Sequence, residues 1–188
     1  PARVENAAKL GGMPVGPLQL TDEVSIDLGA KSARATRAAM GDAYPDAEVD
    51  EVVFWLEDAG RLGRKANAGF YAYDEKGKRT GLWEGLTVQY PTAETQPALT
   101  EVQHRLLMIQ SLEAVRALEE GVLMDIREGD VAAILGWGFA PWSGGPFSWL
   151  DMIGAAKAVE ICDGLEDKFG PRFAAPALLR ELAESGEG

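Results

Sequence analysis

The sequence has one cysteine, Cys162, and one histidine, His104, in 188 residues. A lone thiol excludes an internal disulfide and suits a reducing compartment. With so few soft ligands, no cluster of metal-ligand spacing can be drawn. Long apolar runs are missing too, since stretches such as Val131–Leu135 are far too short to span a bilayer. Positive charge is scarce: 18 lysines and arginines stand against 30 aspartates and glutamates, a net charge of −12. That balance argues against a general nucleic-acid or anionic-membrane surface and reads as solubility. No dinucleotide-binding glycine turn after a strand, no phosphate-binding loop and no nucleophile elbow occurs. The opening residues, PARVENAAKL, are charged and helical in spacing, unlike an apolar leader.

What the chain does have is glycine and proline, 22 and 10 residues, densest among aromatics in Leu135–Asp151, LGWGFAPWSGGPFSWLD. A fainter copy lies at Leu10–Asp22, LGGMPVGPLQLTD. One constant offset carries Gly16-Pro17 onto Gly145-Pro146, Asp22 onto Asp151, Gly41 onto Gly170 and Tyr44 onto Phe173. Upstream the offset is slightly shorter, pairing Val4 with Val131 and Gly11 with Gly138, so the second copy has two extra residues in its loop. Fixed-offset similarity means one supersecondary unit used twice. Pro17 and Pro146 stand where a first helical turn tolerates proline, and Met13, Val15, Phe139, Trp142 and Phe147 fall at the elbow between two helices. Such an elbow is either plain core or the wall of an apolar pocket.

Helical spacing predicts elements at Pro1–Leu10, Pro17–Met40, Ala47–Ala59 with Asp46 as N-cap, Glu101–Glu120, Glu128–Trp137, Pro146–Phe169 and Pro176–Ser185. Thr100 and Gln103 make a capping box for the fourth of these. Only Phe70–Tyr73 hints at a strand, and Asp74–Leu99 reads as an extended crossing segment pinned by Trp83. The fold class is all-α, in two tandem helical units over 1–73 and 100–188, joined by a linker over 74–99. Carried back along the repeat, the helix Thr100–Glu120 has no twin, so the first unit is expected to lack its opening helix. The chain then reads as a piece of a longer polypeptide. Apolar surface near Val4, Leu20 and Val24 would be left bare and invite self-association.

Candidate reactive groups are few. His104 is a possible general base or a boundary residue of a helix face. Cys162 lies in an apolar helical stretch and reads as core. Asp22 and Asp151 recur in register, one turn into each long helix, which suits structural hydrogen bonding or a dipole interaction. Arg61, Arg64 and Lys65 could hold a phosphate or a partner's acidic edge, or be a solvated loop after a helix C-terminus. From the residues alone this is a helical domain without a self-contained catalytic set.

Gly12-Met13-Pro14-Val15-Gly16-Pro17-Leu18-Gln19-Leu20, followed by Asp22, resembles the signature of the 3-hydroxyacyl-CoA dehydrogenase C-terminal domain. Gly69-Phe70-Tyr71-Ala72-Tyr73, after Gly63-Arg64-Lys65, looks like that domain's closing motif. The duplicated form has Leu82-Trp83 in the linker and Gly136-Trp137-Gly138-Phe139-Ala140-Pro141 with Gly144-Gly145-Pro146 in the second copy. It is similar to the multifunctional fatty-acid oxidation alpha subunits. Asn67-Ala68-Gly69 departs from the family's usual Gly-Lys-Gly, which weakens a ligand role there.

The resemblance implies a C-terminal part of a bifunctional enoyl-CoA hydratase/L-3-hydroxyacyl-CoA dehydrogenase of β-oxidation, an oxidoreductase of lipid metabolism. Its NAD would be bound by an upstream domain that also holds the catalytic His–Glu pair, so no catalytic residue, cofactor site or metal site is carried over to this chain. Met13, Pro14, Gly16 and Pro17 would help wall the acyl-pantetheine cleft. The second copy would replace a dimer partner, and the chain alone would be inactive. Acyl-CoA and the upstream NAD-binding and hydratase domains are the implied partners, a thiolase subunit is a further one left open, and the bacterial cytoplasm is the expected setting. The alternative is a free-standing all-α dimerisation module of a related dehydrogenase, distinguished by whether a Rossmann fingerprint lies upstream in the native reading frame.

Overall fold

A computed structural model of the chain describes residues 1–44 and 48–186. They fall into two compact units: Pro1–Asn6 with Val15–Gln96, and Ala7–Pro14 with Pro97–Gly188. The expected N-cap Asp46, and Ala47 with it, lie outside the described residues. No helix among the described residues is long and apolar enough to cross a membrane.

In the first unit, α1 (Ala2–Leu10) supplies its opening turn. The Gly-Pro turn then leads into α2 (Pro17–Val24) and α3 (Ile26–Met40). The sequence predicts one helix over Pro17–Met40, but Ser25 breaks it with φ 106°. The break has its own partners, because the Ile26 amide donates to the Leu62 carbonyl at 3.2 Å and the Ser25 hydroxyl donates to the Asp27 carboxylate. Helix α4 (Glu51–Asp58) packs on α3. Strands β1 (Tyr71–Tyr73) and β2 (Arg79–Leu82) then form an antiparallel hairpin with a bulge between Ala72 and Tyr73. Its turn is fixed by the Asp74 carboxylate, which accepts the Lys76 and Lys78 amides at 2.9 Å each. The stretch read as an extended crossing segment therefore holds β2 and a short helix, α5 (Gly85–Gln89). Trp83 does pin it, stacked on Trp55 with ring centroids 5.3 Å apart. Ile26, Leu56, Phe70, Tyr71 and Leu86 form the core. Leu20, Val24 and Leu28 stay exposed.

In the second unit, α6 (Leu99–Glu119) is the longest helix described. Its capping box does not form: the helix begins directly after Ala98, whose carbonyl accepts the Val102 amide at 3.2 Å, so Thr100 is already inside. Helix α7 (Ile126–Trp137) is capped by Asp125, which accepts the Arg127 amide at 2.8 Å. The second Gly-Pro turn opens α8 (Pro146–Ile153), and α9 (Ala155–Phe169) follows after a break at Gly154, φ 82°. A single turn over Pro171–Phe173 and then α10 (Ala177–Ser185) complete the unit, with α10 packed on α9. The two helix pairs after the Gly-Pro turns match in length, 8 and 15 residues in each unit. Leu107, Met108, Leu112, Phe139, Phe147, Trp149, Cys162 and Phe173 make the core of the second unit.

Candidate functional site

The sequence-predicted binding residues lie on the turn over 13–17, and a buried carboxylate shapes that turn. Glu5, 3% exposed, accepts the Leu18 amide at 2.6 Å and the Gln19 amide at 3.3 Å. These are first-turn donors of α2 that have no partner within their own helix. A carboxylate is the favoured group there, because it meets both the free N–H groups and the positive end of the helix dipole. Gly16 has to be glycine for the same reason: a Cβ on it would overlap the Glu5 carboxylate. Pro17 occupies the first helical position, as expected, and its carbonyl accepts the Thr21 hydroxyl at 2.8 Å.

One turn further on, Asp22 is 1% exposed. Its carboxylate accepts the Phe70 amide at 2.7 Å, the Tyr71 amide at 2.9 Å and the Tyr73 hydroxyl at 3.0 Å. A Cβ on Gly69 would overlap that carboxylate, and one on Gly63 would overlap the Asp22 carbonyl. The Tyr71 hydroxyl donates to Glu5 at 2.6 Å, so both carboxylates grip one closing segment. Burial and the Glu5 hydrogen bond push the Tyr71 hydroxyl well above the usual tyrosine range. Burial and the nearby Asp22 charge push Tyr73 up to about 12.

Arg61 holds the opposite side of the closing segment. Its guanidinium donates to the Gly69 carbonyl at 2.8 Å and the Tyr71 carbonyl at 2.9 Å, and lies 3.9 Å from the centroid of Trp83. Arg64 pairs with Glu23 at 2.7 Å, and Lys65 pairs with Asp27. The basic cluster seen in the sequence is thus engaged within its own unit.

In the second unit Asp130 repeats the work of Glu5. It accepts the Phe147 amide at 2.8 Å, the Ser148 amide at 3.2 Å and the Ser148 hydroxyl at 2.6 Å. A Cβ on Gly145 would overlap it, as one on Gly16 would overlap Glu5. Met13 and Pro14 belong to this unit. Met13 is half-buried, with its amide on the Ala8 carbonyl at 3.0 Å, and Pro14 is exposed. The Trp142 indole N–H donates to the Gly11 carbonyl at 2.8 Å. Of the elbow aromatics, Phe139 and Phe147 are buried core and Trp142 is 57% exposed.

Asp151, the register partner of Asp22, is exposed and accepts no side-chain hydrogen bond from a described residue. His104 is half-buried, and burial with the nearby Lys157 charge lowers its pKa. Cys162 is wholly buried, and burial pushes its thiol up to about 11. Among the described residues no group of three or more His, Cys, Asp or Glu is placed to hold a metal ion.

Sequence reasoning missed Glu5 and Asp130. The spacing from Glu5 to Gly16 is shorter than that from Asp130 to Gly145, so no fixed offset pairs the two acids. The chemistry of the cluster follows from its saturation. Glu5 and Asp22 are each met by buried donors, so they shape the Gly-Pro turn and the closing segment and offer no free base.

This arrangement can be set beside known proteins. The family model of the 3-hydroxyacyl-CoA dehydrogenase C-terminal domain matches residues 1–73 and 102–188. The chain belongs to that family. Both matched motifs of this dehydrogenase domain, the Gly-Pro turn and the Gly-Phe-Tyr segment, are the two things that Glu5 and Asp22 tie together. The fatty acid oxidation complex subunit alpha of Shewanella amazonensis is 40% identical over 182 residues, 94% of this chain. The chain spans 25% of the length of that relative. The dehydrogenase part of multifunctional enzyme 1 from C. elegans has a similar structure, with TM-score 0.66 at 25% identity, over 97% of this chain and 42% of that one.

Proposed function

We propose that this chain is the C-terminal helical region of a bifunctional enoyl-CoA hydratase/L-3-hydroxyacyl-CoA dehydrogenase of fatty-acid β-oxidation, without turnover of its own. The observation that carries the reading is the Asp22 clamp, since it makes the two ordered family motifs one physical object. In this reading Met13, Pro14, Gly16 and Pro17 wall the acyl-pantetheine cleft of an acyl-CoA substrate. The chain comprises two copies of the domain, over 1–73 and 100–188 with a linker over 74–99, and the second replaces a dimer partner. The matched helix lengths and the twin carboxylate–glycine turns support two copies. Upstream NAD-binding and hydratase domains are the partners, and a bacterial cytoplasm is the setting.

NAD is the cofactor of the proposed reaction, and the residues here do not fit it. The sheet among the described residues is a two-stranded antiparallel hairpin, without the parallel strand–turn–helix that cradles a pyrophosphate. No step is therefore assigned to NAD in this chain. What these residues do is hold the Gly-Pro turn rigid from behind, through Glu5, so that a substrate meets a preorganised wall.

The test is direct. The purified chain, given NAD and an L-3-hydroxyacyl-CoA, should form no NADH, whereas the native polypeptide containing it should. Turnover by the chain alone, or a native reading frame without a dinucleotide-binding fingerprint upstream, overturns the proposal.

A further inference from the structure

The three loop cations set apart in the sequence do not act together. Arg61 and Lys65 are taken up within the first unit, whereas Arg64 joins two further cations, Lys78 and Arg79. These three line one open cleft of about 310 Å³ with Gln19, Glu23 and Tyr73. Gln19 and Glu23 stand one turn apart on α2, and Arg64 opens a single turn over Arg64–Ala66. Lys78 and Arg79 leave a hairpin turn that is fixed by Asp74, whose carbonyl also accepts the Gly77 amide at 2.9 Å. Three cations thus face one carboxylate, in a chain with 30 acids against 18 bases. Arg64 gives Glu23 one of its five N–H donors, at 2.7 Å. Arg79 is half-buried, with its guanidinium 4.7 Å from the centroid of the Tyr71 ring, and no described carboxylate pairs with it. The Lys78 ammonium and the Gln19 side-chain amide likewise have no hydrogen-bond partner among the described residues. A half-buried guanidinium without a counter-ion costs the fold stability, and acids to relieve it are plentiful here.

We propose that this cleft binds a phosphate dianion, held between Arg64, Lys78 and Arg79 with the Gln19 amide as a further donor. The count of charges selects the ligand. Glu23 meets Arg64, so two positive charges remain, and a dianion matches them where a monocarboxylate leaves one over. An arginine fork and a lysine point charge are the side chains best suited to phosphate oxygens. The net charge of −12 does not keep an anion away, because exposed charges are screened over about 8 Å at physiological ionic strength. The groups lining the cleft decide instead. Its volume falls at the lower end of the roughly 300–1,000 Å³ of small-molecule sites, which leaves room for an organic carrier beside the phosphate. The same chemistry is offered by the free ion and by a phosphate monoester. The inference is independent of the dehydrogenase reading, which gives this face no role: anion binding tests the one and NADH formation the other.

The experiment is titration of the whole chain with sodium phosphate and, separately, with adenosine 5′-monophosphate, read by calorimetry and by amide chemical shifts. Saturable binding of one ligand per chain is expected, with shifts centred on Gly77, Lys78, Arg79 and Gln19. Equimolar acetate should not displace it. Lys78→Gln, at an exposed position of the turn, should weaken binding about tenfold, as loss of a hydrogen bond between charged groups implies. Arg79→Gln should do the same. Glu23→Gln should strengthen binding severalfold, because it removes the carboxylate and frees Arg64. Glu181→Gln makes the same change in net charge on α10, at an exposed position, and should alter nothing. Tighter binding of the nucleotide than of phosphate assigns the cleft to a monoester, and equal binding assigns it to the free ion; either supports the proposal. Absence of saturable binding overturns it, as does displacement by equimolar acetate. Binding unchanged by both Lys78→Gln and Arg79→Gln, or strengthened equally by Glu23→Gln and Glu181→Gln, overturns it as well.

Discussion

Gly16→Ala isolates what the Glu5 carboxylate does for the Gly-Pro turn. Gly16 has φ −70° and ψ 153°, an extended conformation that alanine adopts freely, so the substitution carries no backbone strain. Its only cost is the overlap of the new methyl with the Glu5 carboxylate. That carboxylate is 3% exposed and cannot swing into water without releasing the Leu18 amide and the Tyr71 hydroxyl, both at 2.6 Å. Hydrogen bonds to a charged group contribute about 1.5–3 kcal/mol each, so losing both costs about 3–6 kcal/mol, and partial relaxation of α1 leaves about 3. Against a total stability of roughly 5–15 kcal/mol, that is a large fraction.

The assay is urea unfolding followed by far-ultraviolet circular dichroism, run as a double-mutant cycle with Glu5→Ala. In the Glu5→Ala background the obstacle is gone, and Gly16→Ala should become neutral or stabilising by about 0.4–1 kcal/mol, through lower entropy of the unfolded chain. A change of sign between the two backgrounds is the signature expected for directly interacting residues. The reasoning fails if Gly16→Ala costs less than about 1 kcal/mol in the natural background, or the same in both. Gly145→Ala is the poorer probe, because φ 126° adds backbone strain to the overlap with Asp130.

The sequence made the helices around the Gly-Pro turns legible because their apolar spacing and their bounding glycines agree. Gly41 and Gly170 end α3 and α9 with φ 56° and 88°, as the repeat implied. What stayed hidden depends on distant partners. The break at Ser25 is met from far along the chain, where the carbonyl of Leu62 takes the Ile26 amide. Strand β2 is short and has no usable alternation, so only its pairing with β1 defines it. Arg61 read as one of three loop cations, yet it is held against the carbonyls of Gly69 and Tyr71 and the ring of Trp83, which only the fold brings to it. Asp22 was legible as a structural acid through its repeat partner. Asp151 repeats that position without the role, being exposed and without a side-chain hydrogen bond to a described residue, and nothing in the residues around it marks the difference.

Two further outcomes follow from buried groups. Ser111, wholly buried on α6, has a hydroxyl without a hydrogen-bond partner among the described residues. Ser111→Ala should therefore raise the urea midpoint, by about 1 kcal/mol of stability, and a fall of that size would reveal a partner for the hydroxyl. The tyrosines give an alkaline test. Tyr73 has its pKa raised to about 12 by burial and by Asp22, and Tyr71 is raised further by burial and by Glu5. A raised folded-state value means that the fold favours the protonated hydroxyl, so the stabilisation is complete below the unfolded value of about 10 and is lost as pH climbs toward 12. Unfolding midpoints should begin to decline above about pH 8.5, where the Cys162 thiol, raised to about 11 by burial, loses its proton only on unfolding. They should fall more steeply above about pH 10, with Tyr71 and Tyr73 still protonated in the folded chain at that pH in an ultraviolet titration. Tyr73→Phe should make the alkaline decline shallower, since one of the groups that lose a proton more readily on unfolding is gone. Ionisation of both Tyr71 and Tyr73 near pH 10 in the folded chain would mean that neither Glu5 nor Asp22 holds the closing segment.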